Sequence, residues 1–258
     1  MPVTARNHFE QDIARARAIV GLAVPLPSAT ANERLLRDDL FRSAWMFAVG
    51  ALDAYFCDAY TDIVAATVIS KNRHPPLVLP EFFHQIRFPI RAILEAYTNN
   101  LNWGWRMAAR KMMERETVLS LATIQTLFNK FFRPGQRFFG DLLPSWITHP
   151  EAERRVFAIS PRRFNALTGP QRSQAITKAQ TSLEARFRKL FQRRHDCIHN
   201  CDRPRVKPQV FEEADIATNV IADVAFLVRR CDEHIAQELR QFLLAAGCPA
   251  AIIGQAGY

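Results

Sequence analysis

The spacing of apolar residues constrains this chain more than any other feature. They step by three and four nearly everywhere, and no segment shows the alternation of a strand. Over residues 32–69, Phe41, Trp45, Ala48, Leu52, Tyr55, Ala59 and Ile63 fall along one helical face, with Thr30 or Asn32 as the cap. SKNRHPPLVLP ends that helix, because paired prolines cannot continue it. A second helical region is predicted over residues 80–132, divided near Pro89 and Glu116. Residues 133–165, including RPGQRFFGDLLPSWITHP, read as an irregular, aromatic-rich insertion. Thr168, Gly169 and Pro170 then open a helix reaching Asn200, and the loop DRPRVKPQ follows. The last helix, over residues 212–244, carries Ile216, Val220, Val224, Leu227, Cys231, Ile235 and Leu239 on one face. The expected fold class is all-α, a bundle of long antiparallel helices in a single domain over residues 1–258, with a flexible tail at 246–258.

Charge is unevenly distributed along these elements. Residues 1–150 hold 17 basic and 13 acidic side chains, residues 151–210 hold 14 and 5, and residues 211–258 hold 3 and 7. The middle segment alone therefore equals the whole net charge of +9. Such a concentration is the electrostatic footprint of a protein that binds a phosphate backbone. A general preference for arginine, which supplies 28 of the 34 basic residues, is the other reading.

The five cysteines are too few and odd in number for a disulfide framework, so a reducing cytoplasm is the simplest setting. The apolar run at residues 18–29 resembles a signal segment, but Glu10 and Asp12 precede it and Pro25 and Pro27 interrupt it. MFAVGALDAYF is too short to span a bilayer and is broken by Asp53. No membrane association is expected.

The chemistry concentrates in RRHDCIHN, at the end of the helix that precedes the loop. Its apolar stripe runs Ile176, Ala179, Leu183, Phe187 and Leu190, and the next position on that stripe is Arg194, followed by Cys197 and Ile198. A guanidinium in place of an aliphatic side chain calls for a carboxylate, a ligand phosphate or a partner chain, unless it snorkels to solvent at the helix end. His199 lies five residues on, rotated by about 140° and advanced by about 7.5 Å. One helix would not easily aim both groups at one phosphate, whereas two copies related by a two-fold axis would bring Arg194 of each near His199 of the other.

Arg194, the polar His195, Asp196, Cys197, Ile198 and His199 resemble the R-x4-H signature of HEPN domains, and RRHDCIHNCDRP is similar to the RNA-cleaving branch of that family. The long helix bearing RSAWMFAVGALDAYF is similar to the family's opening helix, and the resemblance covers roughly residues 33–245, the insertion at 133–165 being a departure from it. The resemblance implies a homodimeric, metal-independent endoribonuclease with a composite Arg/His site, leaving 2′,3′-cyclic phosphate and 5′-hydroxyl ends. Within it, His199 and Arg194 would be catalytic, with His195 supporting them; Asp53, beside the apolar stripe of the first long helix, is a candidate supporting partner of Arg194, with a surface carboxylate as the favoured reading. Arg193, Asn200, Arg203, Arg205 and Lys207 would contact RNA. Family members often act as toxins or in defence against phage, which implies an antitoxin-like or defence-system partner protein.

Four other readings compete. His195, Cys197, His199 and Cys201 invite a zinc site, but on a helix the two His and the two Cys point to different faces and form no single tetrahedron; no metal and no cofactor are expected. Cys197 as a nucleophile competes with Cys197 as core, where its stripe position puts it. A non-catalytic helical module binding RNA, a nucleotide or a protein is the alternative to an enzyme. A helix-turn-helix reader of DNA is less suited, since the basic segment holds no short helix, tight turn and recognition helix.

Overall fold

The computed structural model describes residues 3–96, 101–114, 116, 118–132, 135–200 and 214–256. Among the described residues there are α-helices and no strand: α1 Val3–Ala23, α2 Ala31–Arg73, α3 Glu81–His84, α4 Ile90–Ala96, α5 Leu101–Met113, α6 Leu121–Phe128, α7 Leu143–Ile147, α8 Arg154–Phe157, α9 Pro161–Asn165, α10 Gly169–Asn200, α11 Ala214–Ala245 and α12 Ala250–Ala256. The fold class is the all-α bundle expected. No helix among the described residues is long and apolar enough to cross a membrane.

The chain divides into two compact units, Met1–His8 with Asp53–Phe138 and Cys231–Tyr258, and Phe9–Leu52 with Phe139–Arg230. In the first, edge-on aromatic contacts fill the core: Phe56 and Tyr60 of α2 meet Phe128, and Phe131 meets Tyr60, Phe83 and Phe242, at centroid separations of 5.6–6.0 Å. Lys71, in the last turn of α2, donates from Nζ to the Pro75 and Leu77 carbonyls, so the cation that suits a helix C-terminus also ties down the proline loop. Residues 246–258, expected as a flexible tail, contain α12, with Cys248 and Ile253 buried. Tyr55 donates its hydroxyl to Asp232 (2.8 Å).

In the second unit, α1 buries Phe9, Ile13, Ala16, Val20 and Ala23, whose spacing of four, three, four and three is a helical stripe. The run at residues 18–29 thus begins as the end of an amphipathic helix. Helix α2 opens with a capping box: Thr30 Oγ1 accepts from the Glu33 amide (3.2 Å), and Glu33 Oε2 accepts from the Thr30 amide (2.8 Å). That amide bond from Thr30 holds the Glu33 carboxyl below its ordinary range. From Phe139 onward the segment expected to be irregular is pinned by its aromatics. Phe139 and Trp146 meet edge-on at 5.7 Å, Phe157 meets Phe226 at 5.8 Å, and α7 and α8 pack against α10. Ser160 caps α9 ahead of Pro161.

A buried ion pair in the first unit joins α2 to α5, Arg106 Nε donating to Asp62 Oδ1 at 2.6 Å. Burial pushes the Asp62 carboxyl up to about 6, against the opposing pull of Arg106. Since this lies above the value of an unfolded aspartate, the folded state binds the proton more tightly. The resulting stability is present below the unfolded value and is lost as pH rises through about 6. Between pH 5 and pH 7 the wild type should therefore lose about 1 kcal/mol more, by urea unfolding, than Asp62→Asn does. Parallel stability profiles for the two proteins would refute this account.

Candidate functional site

Helix α10 begins at Gly169, whose φ of +45° lies in the left-handed region that a side chain would strain, and Pro170 follows in the first turn. Its stripe packs as expected through Ala179, Leu183, Phe187 and Leu190, all buried. The last contact of this series is made by Trp45 of α2, whose indole Nε1 donates to the Leu190 carbonyl at 3.3 Å. Beyond it the stripe leaves the core: Cys197 is half-buried, and Ile198, expected as a stripe member, is 48 % exposed.

The seven residues from Arg193 to His199 divide by direction. The Arg193 guanidinium lies over the Trp45 ring, 5.6 Å from its centroid, so this arginine is packed against the protein. Asp196 Oδ1 accepts from Gln192 one turn earlier (2.9 Å). Arg194 is half-buried and has no hydrogen-bond or ion-pair partner among the described residues. His195 and His199 are both exposed and stand side by side on the next face, with ring centroids 4.3 Å apart and planes at 43°.

The helix therefore brings His195 to His199, while Arg194 points about 100° away from His195. Asp53 belongs to the other unit, where its Oδ1 accepts from the Val118 amide (2.8 Å). Asn200 ends α10. Arg203, Arg205, Lys207 and Cys201 lie outside the described residues. Among the described residues no group of three or more His, Cys, Asp or Glu side chains is arranged to hold a metal ion.

Part of the basic excess turns inward. Asp223 of α11, 1 % exposed, accepts from Arg155 Nε of α8 through Oδ1 and from Arg186 Nε of α10 through Oδ2, each at 2.8 Å. Burial pushes its carboxyl up, opposed by the two guanidinium groups. Arg172 lies over Phe164, 4.8 Å from the ring centroid. Arg154, Arg162, Arg163, Lys178, Arg188 and Lys189 of the same segment are exposed. A cavity of about 270 Å³ beside the triad is lined by Arg17, Arg155 and Arg229 but also by Glu151, Glu153 and Asp223, a charge balance that does not favour an anion. The signal for Asp223 is in the sequence: it stands three residues after Val220 and four before Leu227, on the apolar face of α11.

The class of protein defined at this point is an all-helical one with an arginine and an imidazole pair at the solvent end of a basic helix. No family model matches the chain, nor does any curated protein or solved structure.

Removing the carboxylate that two arginines share should unfix α10. Asp223→Ala is expected to lower unfolding free energy by about 2–4 kcal/mol. Arg188→Ala, at an exposed position, should stay within about 0.5 kcal/mol of the wild type. Thermal and urea melts compare the two, and equal losses would remove the triad from its structural role.

Proposed function

We propose that the end of α10 is the centre of a metal-independent endoribonuclease of the HEPN type, acting across a homodimer. The observation that carries the reading is Arg194: a half-buried guanidinium with no protein partner among the described residues, adjacent in sequence to two exposed imidazoles. A guanidinium in that setting suits a phosphate, which it can hold by paired hydrogen bonds.

The reaction is an internal transesterification. The ribose 2′-oxygen attacks phosphorus and loses its proton to a base, and the bond from phosphorus to the 5′-oxygen breaks. The leaving oxygen takes up a proton, giving a 2′,3′-cyclic phosphate and a 5′-hydroxyl. His199 acts as the base or as the acid, since imidazole exchanges a proton near neutrality. Arg194 stabilises the charge gathering on the phosphoryl oxygens. His195, in contact with the His199 ring, orients it. Arg193, held against Trp45, and the loop residues Arg203, Arg205 and Lys207 supply positive charge along the RNA, with Asn200 as a further contact.

A dimer follows from the division of faces, because Arg194 and His199 of one helix diverge by about 140° while those of two helices related by a two-fold axis converge. An antitoxin-like or defence-system protein would regulate such an enzyme.

Purified protein incubated with mixed RNA in EDTA should yield fragments ending in 2′,3′-cyclic phosphate. His199→Ala and Arg194→Ala should each slow cleavage by about 100-fold or more. Mixing the two inactive variants should restore part of the activity through heterodimers. Intact RNA, or variants as active as the wild type, would sink the catalytic reading, and binding without cleavage would make the protein a non-catalytic RNA-binding module. A failure to complement after demonstrated subunit exchange would dispose of the shared site.

A further inference from the structure

His195 and His199 are the only two of the seven histidines spaced by one helical turn. Four residues on an α-helix return to nearly the same azimuth, offset by about 40° and about 6 Å along the axis. Here the two rings stand side by side, tilted at 43° with centroids 4.3 Å apart, and both are exposed, so neither has to leave a packed position to change its tilt. Two imidazoles in this relation can each direct a ring nitrogen at one ion about 2.0–2.1 Å from both.

We propose that His195 and His199 form a two-ligand chelate for a late first-row divalent metal ion such as zinc, nickel or copper. This differs from the closed His/Cys tetrahedron that the spacing argues against: it needs two side chains only, and water completes the coordination. Neutral imidazole suits these metals and not magnesium or calcium, which require oxygen ligands. The pair sits in the last two turns of α10, where the helix dipole favours a cation. Asp196 lies between the histidines in sequence but is engaged by Gln192, so among the described residues the two imidazoles are the protein's contribution.

The ion is a regulator of the site. A metal bound to both imidazoles occupies the lone pair that His199 needs to take up a proton, so it blocks cleavage. This inhibitory consequence rests on the ribonuclease reading above, whereas the binding itself does not.

The test uses the full chain without a histidine tag, titrated with zinc chloride and with nickel chloride by calorimetry. At pH 7.5 one ion per chain should bind saturably, and binding should weaken at pH 5.5, where protons compete for the nitrogens. His195→Ala and His199→Ala should each abolish that equivalent. The milder His195→Asn and His199→Gln should do the same, with helicity by circular dichroism unchanged in all four. No saturable binding, or an equivalent that survives the double His195→Ala/His199→Ala substitution, overturns the site. Separately, RNA cleavage in EDTA should stop when zinc is added in excess of the chelator; full activity of the zinc-saturated protein would overturn the inhibitory role while leaving the calorimetric result standing. Inactivity towards RNA in EDTA would bear on the ribonuclease reading alone.

Discussion

The position of α10 depends on one buried carboxylate. Asp223 is withdrawn from water almost completely and is retained there because two guanidinium groups, from α8 and from α10 itself, occupy its two oxygens. A buried charge shared in this way has few acceptable geometries, so it fixes where α10 lies against α8 and α11 more sharply than apolar contacts alone would. Arginine suits the task because its planar fork keeps a defined direction. The same triad alters the meaning of the basic segment: Arg155 and Arg186 count towards the +9, yet their charge is spent inside the protein.

From that anchor α10 continues for more than two turns, and its surroundings change at Leu190. From Ala179 to Leu190 the stripe is buried; Trp45 then closes the series by taking the Leu190 carbonyl with its indole nitrogen and the Arg193 guanidinium on its ring. One aromatic residue therefore marks the boundary between the packed helix and its exposed end. Beyond it, Ile198 is exposed on the face that had been core. The last turns of the helix carry ties of their own, from Gln192 to Asp196 and from Arg193 to the Trp45 ring, while His195 and His199 stand exposed.

Legibility in the sequence followed how directly a residue's burial depends on helical period. The faces of α2, α10 and α11 were readable because each repeats apolar residues over many turns, and Gly169 and Pro170 announced the start of α10. Helix α1 is less legible, although Phe9, Ile13, Ala16, Val20 and Ala23 keep the same period. Small alanines weaken the contrast between faces, and the prolines at 25 and 27 drew attention to the end of the run. The aromatics of residues 139–165 gave no period at all, since one-turn helices are held by tertiary contacts such as those of Phe157 with Phe226. At the site, the stripe located Arg194, but its continuation through Ile198 failed because periodicity describes a helix and not the point at which its neighbours stop covering it. Which arginine stacks on Trp45 was likewise beyond reach, since that contact joins residues 148 positions apart.

The pairing of His195 with His199 changes the chemical unit that the segment offers. A lone exposed imidazole is adaptable but unoriented, whereas two in ring contact restrict each other, and a substrate or an ion meets a preset pair. Arg194 stands on a neighbouring face with a separate environment, half-buried where the histidines are exposed. A single helix thus displays a guanidinium and an imidazole pair in different directions. A small anion reaching one of them would miss the other. On the ribonuclease reading proposed above, a long polyanion, or a second copy of the helix turned by a two-fold axis, would meet both.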